Sequence, residues 1–73
     1  MQDTYSLDPM GPGEFNRIAE FIYGPKFQTG LAWALDVTRN TIRTYALGVH
    51  PIPDRIAFAL RYMELVHEAK RGI

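Results

Sequence analysis

The chain has 73 residues, eight basic and eight acidic side chains, no cysteine, and 47% hydrophobic residues. That length gives one domain whose core hides only about 60% of the surface the unfolded chain exposes, so burial against a second copy would add stability. The composition excludes a disulfide scaffold, a thiolate metal site and a disordered tail, and no apolar run approaches the roughly 20 residues of a bilayer crossing. Residues 1–13 hold Pro9, Gly11, Pro12 and Gly13 and read as an irregular N-terminal arm, with the domain proper at 14–73. The start Met1–Tyr5 has neither the basic nor the apolar stretch of a signal peptide. With the lack of cysteine, this leads to an expected cytoplasmic location.

Four helices follow from hydrophobic spacing. Glu14 to Tyr23 places Phe15, Ile18, Ala19 and Ile22 on one face, and Gly24-Pro25 ends it. Phe27 to Leu35 aligns Leu31, Ala32 and Leu35. Thr38 to Leu47 opens on Thr38 as N-cap, turns Ile42 and Tyr45 inward, and stops at Gly48. Val49-His50-Pro51-Ile52-Pro53 is an extended connector, because its two prolines forbid helix before Pro53. Arg55 to Arg71 is the longest helix. Ile56, Leu60 and Met63 lie on one side, Phe58, Tyr62 and Leu65 on another, and Arg61, Glu64 and Glu68 mark a narrow polar strip. One core needs an apolar stripe only about 100° wide, so Phe58, Tyr62 and Leu65 are expected to form a dimer interface. Gly72 fits the end of this helix. The fold class is all-α, a compact bundle of four to five helices.

Net charge is silent about a polyanion, but placement is not. From Val37 to Pro53 the chain holds Arg39 and Arg43 and no acid, and only Asp36 touches that stretch. Leu31, Leu35, Val37, Ile42 and Tyr45 would fill the wedge between the second and third helices, with the small Ala32 at their close approach. The third helix then stands clear, offering Arg39, Asn40, Arg43 and Thr44. Arginine bonds guanine O6 and N7 in pairs, asparagine bonds adenine N6 and N7, and threonine meets a base edge or the thymine methyl. Gln28, with its helix N-terminus, suits a phosphate. Lys26 is a further candidate phosphate contact. Trp33 falls off the core face of its helix and is expected to cover the arm, for instance Tyr5 or Leu7, with contact to a partner as the alternative.

The run Gln28-Thr29-Gly30-Leu31-Ala32-Trp33-Ala34-Leu35-Asp36-Val37-Thr38-Arg39-Asn40-Thr41-Ile42-Arg43-Thr44-Tyr45 resembles the helix-turn-helix of the Cro and C1 phage-repressor family. Gly48-Val49-His50-Pro51-Ile52-Pro53 is similar to that family's Gly-x-x-Pro-Ile-Pro tail, and the likeness spans residues 14–66. It implies a lambda repressor-like domain that binds double-stranded operator DNA as a homodimer and represses transcription in a phage or bacterial setting. Carried over by position, Arg39, Asn40 and Thr44 would read bases. Gln28, Thr38, Thr41 and the backbone after Gly48 would hold phosphates, and Arg43 would do either. Asp36 departs from the pattern, standing where the family has a turn glycine. The alternative within the same fold is a protein-binding adaptor or antitoxin.

His50 and His67 lack metal-ligand spacing. His50 is expected beside the DNA backbone and His67 on the surface. Asp54 with Glu64 or Glu68 lies on a helix without a cleft, and no nucleophile or phosphate-loop motif is present. No enzymatic activity, metal, cofactor, membrane or small-molecule ligand is expected.

Overall fold

Four apolar stripes at helical spacing pack into four helices around one core. The computed structural model describes residues 9–71. They form α1 (Pro12–Tyr23), α2 (Phe27–Leu35), α3 (Arg39–Leu47) and α4 (Asp54–Arg71), with no strand among them. Each helix contributes to the fully buried centre: Phe15 and Ile18 from α1, Leu31 from α2, Ile42 from α3 and Leu60 from α4. The Phe15 ring is central. It meets Phe27 edge-on at 6.3 Å and Tyr45 edge-on at 5.8 Å, so one side chain locks α1 to both α2 and α3.

The helix ends follow local chemistry. α1 begins at Pro12, two residues ahead of the sequence expectation, because proline pre-sets φ at a first helical position and has no N–H to leave unsatisfied. Met10, assigned to the arm by sequence, is buried in the core. Gly24 closes α1 at φ 85°, its N–H donating to Glu20 O at 2.8 Å. α2 ends on Asp36 in the left-handed conformation, φ 58°, and Val37 N–H donates back to Ala32 O at 3.0 Å. Glycine adopts such an end without strain, and a short polar side chain is the next best tolerated. α4 begins at Asp54, one residue before the expected Arg55, with Pro53 O accepting from both Ile56 N–H and Ala57 N–H.

The polar strip of α4 does not face water alone. It turns toward α1, where Arg17 pairs with Glu64 at 2.8 Å and Arg61 with Glu14 at 3.2 Å. The Glu64 hydrogen bond raises Arg17 further above its already high ordinary pKa. These partly exposed pairs fix how α4 lies on α1 more than they stabilise it, since such pairs contribute about 0–1 kcal/mol. His67 is half-buried rather than on the surface, meeting the Phe21 ring edge-on at 4.9 Å. Arg71 lies over the same ring at 5.4 Å.

Ile56, Ala57 and Leu60 supply the buried side of α4, and Met63 packs against it. The other apolar side stays uncovered: Phe58 is 49% exposed, and Tyr62 and Leu65 are each 68% exposed. Trp33 is 87% exposed. Its expected cover, Tyr5 and Leu7, lies outside the described residues, as does Gly72. No helix among the described residues is long and apolar enough to cross a membrane.

Candidate nucleic-acid interface

The presentation of α3 begins with its cap. Thr38 has extended backbone, and its Oγ1 accepts the Thr41 N–H at 3.1 Å. The Thr38 and Thr41 hydroxyls also bond each other at 2.9 Å, which uses one of their two hydrogens and leaves one for an outside acceptor. Replacing Thr38 by alanine is expected to lower stability by about 1 kcal/mol in urea unfolding. A Thr38→Ser control, which retains the acceptor, is expected to lose less than half of that.

Ile42 is fully buried on the inner side of α3, and Tyr45 is half-buried beneath it. Anchoring on this side turns the opposite side outward, where Arg39, Asn40 and Arg43 are exposed. The far end is held in two ways. Asn16 of α1 donates from its side-chain amide to Ala46 O at 2.9 Å and to Pro12 O at 2.8 Å. Gly48 then takes the left-handed conformation, φ 77°. Asn16 was not legible as a positioning residue, because its partner lies 30 residues away and no local spacing announces it.

The sequence-derived contacts are brought together on one side of the molecule. Gln28, Arg39, Asn40 and Arg43 line one shallow depression, and Lys26, Gln28, Thr29 and Arg39 line its neighbour with Pro25. Among the described residues no acid lines either. Lys26 occupies the N-cap of α2 and supplies no side-chain cap to the first N–H groups of the helix. A third depression joins Asn40, Thr41, Thr44 and Tyr45 to His50 and Pro51, placing His50 beside α3.

Three details change the expected roles. Thr44 is half-buried, and its hydroxyl donates to Thr41 O at 2.7 Å, so only its lone pairs and methyl remain for a base. The N–H of Gly48 donates to Tyr45 O at 3.2 Å, while those of Val49 and His50 donate to Thr44 O at 2.9 and 3.4 Å. The backbone after Gly48 therefore closes α3 and does not offer these donors to a phosphate. Arg43 Nη2 donates to Asn40 Oδ1 at 3.0 Å, so the two residues are not independent.

Fold and surface together define a domain whose described residues are all-α, four helices, with a cationic, donor-rich face on α3. No family model, curated protein or solved structure matches the chain.

Proposed function

We propose that this chain is a sequence-specific regulator of transcription, a dimeric repressor of the Cro/C1 type that inserts α3 into the major groove of a two-fold symmetric operator. The observation that carries this reading is the α3 face. Arg39, Asn40 and Arg43 are exposed together, in a depression that no acid among the described residues lines, on a helix whose other side is anchored by Ile42. A helix about 10–12 Å across fits the major groove, about 12 Å wide, and these side chains suit base edges there. Gln28, Lys26, Thr38 and Thr41 flank the face with donors for phosphate oxygens.

Selection from a random duplex library tests the reading. It is expected to enrich a two-fold symmetric site with half-sites about 34 Å apart, one turn of DNA. Failure to retain any duplex at low salt would refute it. With Lys26 the single cation among the flanking contacts, affinity is expected to fall only shallowly with salt.

Dimerisation is carried by the uncovered stripe of Phe58, Tyr62 and Leu65, which lie three and four residues apart on one side of α4. Combining Phe58→Asp with Tyr62→Asp is expected to give a folded monomer that binds a half-site weakly. Sedimentation of wild type as a monomer at micromolar concentration would contradict this.

A protein-binding adaptor or antitoxin is the second reading. Trp33, at 87% exposure, favours it, because a bare indole on a helix suits a protein partner. Retention on heparin and salt-sensitive binding to random DNA would separate the two readings.

A further inference from the structure

The bond between Arg43 and Asn40 has a chemical consequence for what α3 can read. Arginine carries five N–H donors and no acceptor. The Asn40 group facing Arg43 must therefore be the amide oxygen, and the contact is Arg43 Nη2 to Asn40 Oδ1 at 3.0 Å. The amide nitrogen keeps both of its N–H donors, and the oxygen keeps one lone pair, beside the guanidinium. Both residues are exposed on α3 and line one depression with Arg39 and Gln28. No hydrogen bond or ion pair within the described residues engages Arg39. The depression is thus rich in donors, and no acid among the described residues lines it.

An asparagine that reads adenine must accept from N6–H while donating to N7, with oxygen and nitrogen aimed side by side at one base edge. Arg43 takes one of the oxygen's two lone pairs and sets its N–H groups beside the other, where they would meet adenine's N6–H donor to donor. Guanine presents two acceptors, N7 and O6, in the major groove. Entry into a water-poor groove strengthens the Arg43–Asn40 bond, because fewer waters compete for either partner.

Resting on the DNA-binding reading above, we infer that Asn40 and Arg43 act as one donor unit selecting guanine, with Asn40 turned away from its usual adenine partner by Arg43. Arg39, unpartnered beside them, extends the same preference along the groove, so the half-site is guanine-rich on the strand facing α3.

Duplex selection with wild type, Asn40→Ala and Arg43→Ala tests this. The base position whose preference disappears in Asn40→Ala marks the Asn40 contact. That position is expected to be guanine for wild type and to change to adenine for Arg43→Ala, where no guanidinium stands beside the oxygen. A gain of preference for a different base is not something general loss of stability produces. Placing 7-deazaguanine there is expected to weaken wild-type binding at least about fivefold, through loss of the N7 acceptor. Adenine at that position for wild type, or an unchanged preference in Arg43→Ala, overturns the inference while leaving DNA binding intact. Absence of duplex binding by wild type at low salt overturns both.

Discussion

Phe15→Ala is expected to remove a large share of the domain's stability, about 3–5 kcal/mol. Phe15 is fully buried and joins three helices through its contacts with Phe27 and Tyr45. Truncating such a phenylalanine costs about 3–5 kcal/mol, from lost burial and from the cavity left behind. A domain of this length has about 4–11 kcal/mol of stability in total. The cavity cannot be filled cheaply, because its walls come from helices held by their own contacts: α1 and α4 by two ion pairs, α1 and α3 by Asn16. Urea unfolding followed by circular dichroism measures the effect. Phe58→Ala is the control. Its side chain is half exposed, and its loss is expected to change monomer stability by well under 1 kcal/mol. A Phe15→Ala variant within 1 kcal/mol of wild type would mean that this ring does not organise the core.

Arg39→Ala is expected to produce the opposite pattern, a folded protein that has lost much of its affinity. Arg39 is exposed, stands at the first turn of α3, and lines both depressions of the candidate interface. No hydrogen bond or ion pair among the described residues engages it, so the unfolding midpoint is expected to stay put. A bidentate contact to guanine carries about 1–3 kcal/mol of discrimination, which is roughly 5- to 150-fold in binding. Fluorescence anisotropy on a selected duplex measures the loss, and repeating it on a duplex changed at one base pair shows whether discrimination relaxes there. Lys26→Ala gives the contrast. As a phosphate contact it is expected to weaken all duplexes alike and to flatten the salt dependence. Equal binding by wild type and Arg39→Ala would remove Arg39 from the interface.

These two substitutions separate the core of the domain from its surface, and the sequence separates them nearly as well. Positions at three- and four-residue spacing disclosed the faces of α1, α2 and α3, since helical periodicity is a local property. Thr38 and Gly48 marked the ends of α3 for the same reason: a cap answers to the backbone groups of its own first or last turn. The exposure of Arg39, Asn40 and Arg43 followed once Ile42 and Tyr45 were turned inward, because opposite sides of one helix cannot both face a core.

What escaped the sequence depends on distance along the chain. Arg61 and Glu64 read as part of a narrow polar strip, and only the packing of α4 on α1 pairs them with Glu14 and Arg17, each 47 residues away. Met10 read as part of an arm, and His67 as surface, until the folded chain supplied the neighbours that cover them. The hydrogen bonds that commit the Thr44 hydroxyl, the backbone after Gly48 and the Asn40 oxygen are short-range, yet each is a choice among several available partners. A one-dimensional pattern specifies which groups are near one another along a helix. The rotamers, and so the direction in which each donor and acceptor points, are set only when the surrounding helices are in place.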